Sequence, residues 1–165
     1  MPSNALLRDI LAARPFAPPL ALATLAQARV LQAGAGTQPG LLCGRRIGLM
    51  CASDDSEAAL LFRRAASTLG AQVSHLLPVL DQESSKLSVD ATAQLLGRLY
   101  DAVECQGMEP ALVRRLGLAA TIPIYPGLAC ADHPSSALAR ELPGDAALAD
   151  KRAWVLQALL LKSID

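Results

Sequence analysis

The run Asp55-Ser56-Glu57-Ala58-Ala59-Leu60-Leu61-Phe62, continuing to Leu69-Gly70-Ala71, has the frame of an anion-binding turn between a strand and a helix. It follows Ile47-Gly48-Leu49-Met50-Cys51, which reads as a short buried strand. Beyond it, Ala58, Leu61, Phe62, Ala65, Ala66 and Leu69 recur at helical spacing and form one apolar face. A helix that begins directly after a strand aims unpaired N–H groups and a positive dipole end into the turn. An anion site would add a base there, but this chain supplies Asp54, Asp55 and Glu57. The turn is therefore expected to be filled from within: the run Asp54 to Glu57 fits the acidic first turn and cap of a helix, with a cation site as the alternative.

Metal and disulfide chemistry find little support. Cys43, Cys51, Cys105 and Cys130 contain no C-x-x-C pair, and the chain has two histidines, so no metal site is expected. The thiols read as small buried hydrophobes. Cys51 and Cys105 both end expected strands, and would lie close if those strands are neighbours.

The elements that must position these residues alternate regularly. Helices are expected over residues 5–13 and 20–32, separated by the breaker Arg14-Pro15-Phe16-Ala17-Pro18-Pro19. A Gly-rich loop, 33–40, leads to the strand around Ile47, and the helix to Leu69 is followed by a second strand, 72–77. A polar loop, 81–86, precedes a helix striped by Val89, Thr92, Ala93, Leu96, Leu99 and Tyr100. A third strand at 101–105, a helix at 110–116, a fourth strand at 121–125 and two closing helices, the last over 146–162, complete the pattern. Such alternation predicts an α/β fold: a single doubly wound, parallel, four-stranded sheet flanked by helices. Ligands of such sheets bind at the carboxyl ends of the strands. That gathers Ser53, Asp55, Ser56, Glu57, Gln106 and His133 as the candidate crevice.

Composition narrows the function classes. Among 165 residues, 52% are hydrophobic but only 3% aromatic, so the core must be built from Ala, Leu and Val. Fifteen basic residues balance fifteen acidic ones, and no basic stripe is interleaved with aromatics, which argues against nucleic acid. The apolar stretch 20–31 carries Gln27 and Arg29 and falls short of the ~20 residues of a membrane span. Arg8 and Asp9 interrupt the apolar N-terminus, so no signal peptide is expected, and the expectation is a soluble cytoplasmic protein.

Several of these runs together resemble the carbamoyl-phosphate-binding half of the aspartate and ornithine carbamoyltransferases. Aligned on Phe62 and Leu69-Gly70-Ala71, residues 55–63 stand where that family has S-T-R-T-R-x-S-F-E. Lys86-Leu87-Ser88 through Leu96-Gly97-Arg98-Leu99-Tyr100-Asp101 is similar to K-E-S through L-x-R-x-Y-D. Asp101-Ala102-Val103-Glu104-Cys105-Gln106-Gly107 resembles D-A-I-x-x-R-G. Ile122-Pro123-Ile124-Tyr125-Pro126-Gly127-Leu128, then His133-Pro134-Ser135-Ser136, resemble V-P-V-x-N-G-L and H-P-x-Q. The matches keep order and spacing across residues 45–142. The resemblance implies strand order 2-1-3-4 and one domain over 1–165, without the family's amino-acid-binding domain. Residues 147–160 resemble the family's last helix, which returns to the first domain.

Residue by residue, the family's chemistry is mostly missing. Asp55 replaces a Ser, Glu57 an Arg, Ala58 a Thr, Ala59 an Arg, and Gln106 the Arg that would hold the carbamoyl oxygen. Pro126 replaces an Asn and Ser136 a Gln; Ser56 still offers a hydroxyl, and His133 and Lys86 remain as remnants. Hydrogen bonds to charged groups are worth ~1.5–3 kcal/mol each, and added carboxylates repel a phosphate by roughly 1–4 kcal/mol per pair. No catalytic residue and no cofactor are expected. Each remnant also has a structural reading: His133-Pro134 as a helix start, Lys86 as a solvated loop residue, Arg63, Arg64 and Arg98 as solvated faces, and Trp154 as core or interface. Three functions follow. One is a non-catalytic assembly or regulatory module of amino-acid metabolism, a homo-oligomer (trimer or dimer). Another is a small-molecule binder or altered enzyme using the same crevice. The third is residual transferase activity together with a full-length carbamoyltransferase as partner.

Overall fold

A computed structural model of the chain describes residues 15–34 and 40–164. The elements are α1 (Pro18–Ala33), β1 (Arg46–Met50), α2 (Glu57–Thr68), β2 (Gln72–Leu76), α3 (Lys86–Leu99), β3 (Ala102–Cys105), α4 (Pro110–Ala119), β4 (Ile124–Tyr125), α5 (Ser135–Arg140) and α6 (Leu148–Ser163). The four strands form one parallel sheet in the order β2-β1-β3-β4, the expected α/β arrangement. The helix expected over 5–13 lies outside the described residues.

Side-chain alternation divides the core in two. Ile47, Leu49, Ala102 and Tyr125 face a cluster built with α1, α2, α5 and α6. Met50, Val103, Cys105 and Ile124 face a second cluster built with α3 and α4. Both sides of β1 and β3 are therefore buried, which explains their continuous apolar runs. Cys51 belongs to the first cluster and Cys105 to the second. Met50, not Cys51, is the register partner of Cys105. The proximity raised for these two thiols is thus excluded by the period of two along a strand.

Several boundaries moved for identifiable reasons. α1 begins at Pro18, inside the expected breaker, because proline fits the first helical turn, where no N–H partner is required. β3 starts after Asp101, whose carboxylate accepts the Arg46 N–H at 2.7 Å. β4 shrinks to two residues, since Pro123 has no N–H to give the ladder. Lys86 is the first residue of α3 rather than a loop residue: Ser85 Oγ accepts the Ser88 N–H at 3.1 Å and starts the helix there. α4 runs on to Ala119, and α6 starts at Leu148 rather than 146.

α6 is buried on nearly every side, with each residue from Val155 to Leu160 enclosed. It packs against α1, α2 and α5, as an all-round apolar helix must. Gly70, at φ +89°, turns the chain from α2 into β2; a Cβ there would stand 3.0 Å from the Gly40 Cα.

Candidate functional site

β1 leads through a short turn into α2, and Ser56 caps that helix: its Oγ accepts the Ala59 N–H at 3.1 Å. The acids do not converge on the helix end as expected. Asp54 pairs with Arg63 Nη2 at 3.1 Å and lies 3.8 Å from His75 Nδ1. Asp55 accepts a hydrogen bond from Ser53 Oγ. Only Glu57 lies in the first turn, 91% exposed, with Arg152 Nη1 at 3.5 Å. The short hydroxyl of Ser56 thus does the capping, and each acid is taken up by its own partner.

Gln106 continues from β3 and is buried. Its Nε2 donates to the Ala58 carbonyl and to Glu104 Oε1, both at 3.2 Å. Gln106 therefore ties the end of the sheet to the first turn of α2. His133 is also buried, its ring centroid 5.9 Å from that of Phe16. The Ser135 N–H donates to His133 Nδ1 at 3.2 Å, placing the proton of a neutral ring on Nε2. Ser135 Oγ donates onward to the Leu128 carbonyl at 2.7 Å. Ser56, Glu57, Gln106 and His133 thus edge the face of the sheet covered by α2, α5 and α6. Ser53 and Asp55 are exposed on the turn leading into it. Lys86 stands apart: it pairs with Asp90 and helps line a groove of about 430 Å³ with Val89, Arg115, Leu118 and Ala119.

Two residues of this region carried no role in the sequence. Glu104 is fully enclosed, with Oε1 accepting the Ala129 N–H at 3.3 Å. Burial pushes its carboxyl up to about 8, against the opposing pull of hydrogen bonds from Gln106 and the Leu128 and Ala129 backbone. Its sequence signal was an acid inside the otherwise apolar run Ala102-Val103-Glu104-Cys105. Arg152 arrives from α6 with its side chain only 12% exposed and donates from Nη2 to the Ala129 carbonyl at 2.6 Å. Its sequence signal was its place in residues 147–160, the run that resembles the family's last helix; its partners lie on other elements.

The polar groups are mostly committed to one another. Among the described residues, Glu104 Oε2 and Gln106 Oε1 are buried without a hydrogen-bond partner. No group of three His, Cys, Asp or Glu among the described residues is placed to hold a metal ion. No described helix is long and apolar enough to cross a membrane.

Comparison with known proteins agrees with this architecture. The chain is 35% identical over 105 residues to an ornithine carbamoyltransferase of Actinobacillus pleuropneumoniae, covering 64% of this chain and 31% of that protein. The same values relate it to the catabolic ornithine carbamoyltransferase of Haemophilus influenzae. Among solved structures, the ornithine carbamoyltransferase of Burkholderia thailandensis superposes with a TM-score of 0.66 and 18% identity, over 81% of this chain and 47% of that one. The enzyme of Pyrococcus furiosus gives 0.65 and 21%, over 81% and 44%. The match thus spans about a third of the length of the curated relatives. No protein-family model matches the chain.

Proposed function

We propose that this chain, a relative of the aspartate and ornithine carbamoyltransferases, is a non-catalytic carbamoyltransferase-type domain that works by assembly, with copies of itself or with a full-length carbamoyltransferase. The observation that carries this reading is the pairing of Arg152 with Glu57 and the Ala129 carbonyl. A cation at the mouth of the crevice is occupied by the chain's own acceptors. The α2 turn offers no arginine, and the amide of Gln106 is spent on Ala58 and Glu104. Stabilising a phosphate leaving group requires free, preorganised donors.

Assembly is favoured by the surface of α3, where Leu87, Leu95 and Leu99 are exposed at 80%, 55% and 43%. Spaced at multiples of four, they share one side of the helix. With zero formal net charge, the chain has little colloidal protection as a monomer. A closed trimer is the proposed form, with a dimer as the next, in the cytoplasm and in amino-acid metabolism. A second reading, a binder of a small neutral or cationic molecule in the same crevice, is favoured by the unpartnered acceptors of Glu104 and Gln106.

The test combines three measurements on the whole chain. Calorimetry with carbamoyl phosphate should show no heat at millimolar concentration. Assays with ornithine or aspartate as acceptor should form no carbamoylated product. Light scattering at micromolar concentration should give a multiple of the single-chain mass. Turnover overturns the non-catalytic reading, and a single-chain mass with no binding to a full-length carbamoyltransferase overturns assembly.

A further inference from the structure

Six residues close a ring at the carboxyl end of β3. Glu104 Oε1 accepts from the Ala129 N–H at 3.3 Å, and the Ala129 carbonyl accepts from Arg152 at 2.6 Å. Arg152 reaches Glu57 at 3.5 Å; the next residue, Ala58, accepts from Gln106, and Gln106 returns to Glu104, both at 3.2 Å. The ring joins the sheet, the first turn of α2, the loop after β4 and the last helix. Together these elements enclose the carboxyl end of β3. We infer that this ring is a proton-gated clasp, closed while the Glu104 carboxyl keeps its proton and opened when the proton is lost to solvent.

The geometry supplies the reason. The Gln106 amide and the Ala129 N–H both reach Oε1, while Oε2 is buried without a hydrogen-bond partner among the described residues. Once ionised, the carboxylate would hold its charge in a dry site with only the Gln106 amide and backbone N–H groups to meet it, a state that burial disfavours. Water reaches it only if one wall moves. The Arg152–Glu57 contact is the longest link of the ring, with Glu57 almost fully exposed, so α6 and the α2 turn are where the ring parts.

The phenol and thiols facing Glu104 do not titrate first. Tyr125 on β4 is bonded to Ser163, and burial raises its phenol. Burial likewise raises the thiols of Cys51 after β1, Cys105 on β3 and Cys130, the last to about 11. On the α5 side, His133 reaches this region through Ser135 and Leu128. The clasp rests on this ring alone and does not depend on what the crevice binds.

Trp154, the single tryptophan, lies two residues from Arg152 on α6 and reports the seating of that helix. Its emission and acrylamide quenching should be followed in the whole chain from about pH 6 to 9.5, the span flanking the Glu104 ionisation. The expected result is a one-proton transition near pH 8 that vanishes in Glu104→Gln. A wild-type signal flat across the range, or one unchanged in Glu104→Gln, overturns the clasp. Should Glu104→Gln fail to fold, Gln106→Met decides. That variant cuts the ring at two links, so the Trp154 transition should be lost, and a transition as large as in the wild type overturns the proposal.

Discussion

Arg152 and Glu57 stand 95 residues apart in the chain and meet at 3.5 Å at the start of α2. The acid that unsuits this turn for an anion is therefore answered by a base from the last helix. The contribution of that base comes less from Glu57 than from the Ala129 carbonyl, which Arg152 holds at 2.6 Å with its side chain largely buried.

Arg152→Met should accordingly destabilise the fold by about 1.5–3 kcal/mol, the range for a hydrogen bond to a charged group. Glu57→Gln should change stability by less than about 0.5 kcal/mol, because an exposed ion pair contributes little. Urea unfolding of the two variants separates the contacts. Equal losses would mean that the ion pair, rather than the bond to Ala129, holds α6.

Stability should fall as pH rises from about 4.5 to about 8. In this window the folded chain keeps a proton on Glu104 that the unfolded chain has released. The contribution is fully present below the unfolded value and is lost on passing through the folded one. The slope reaches at most ~1.4 kcal/mol per pH unit for one proton. Glu104→Gln should flatten that slope, as the difference between its unfolding free energies and those of the wild type at pH 5 to 9 would show.

Gly70→Ala should destabilise by about 1–3 kcal/mol, since it combines a left-handed backbone with overpacking. The added methyl would meet the Gly40 backbone rather than a yielding side chain. Ser56→Ala, which removes the cap on Ala59, should cost about 1 kcal/mol. Thermal unfolding ranks them, and a Gly70→Ala protein as stable as the wild type would show that the turn relaxes freely.

Replacing Asp55 by Ser and Glu57 by Arg should bring carbamoyl phosphate binding up to millimolar affinity. The new guanidinium would stand beside Arg152, and the pair would face the N–H groups of α2. Binding should weaken as salt is raised. Calorimetry on wild type and double variant reads this directly, and no gain in the variant would mean that the frame no longer fits an anion.

The sequence by itself determined the elements and the parallel α/β sheet, while the strand order was implied by the resemblance and not by any pattern of residues. Ile47-Gly48-Leu49-Met50-Cys51 and Ala102-Val103-Glu104-Cys105 are continuous apolar runs broken only by one acid, and they become the central strands because both faces are covered. Leu69-Gly70-Ala71 was legible because a positive φ and a close backbone leave room for glycine alone. Boundaries set by a side chain reaching a distant backbone group, such as Asp101 on Arg46, left no periodic trace. Only the tertiary structure decided the site. Sequence spacing collected Ser53, Asp55, Ser56, Glu57, Gln106 and His133 by their place at strand ends. It could not show that Ser56 caps a helix, that Cys51 and Cys105 face opposite ways, or that Glu104 and Arg152 meet on the N–H and the carbonyl of Ala129. Those facts depend on which loops the packing of α6 against α1, α2 and α5 brings together. Hydrophobic burial, which is non-directional, fixes the elements from local patterns; directional hydrogen bonds between distant residues exist only once the elements have met.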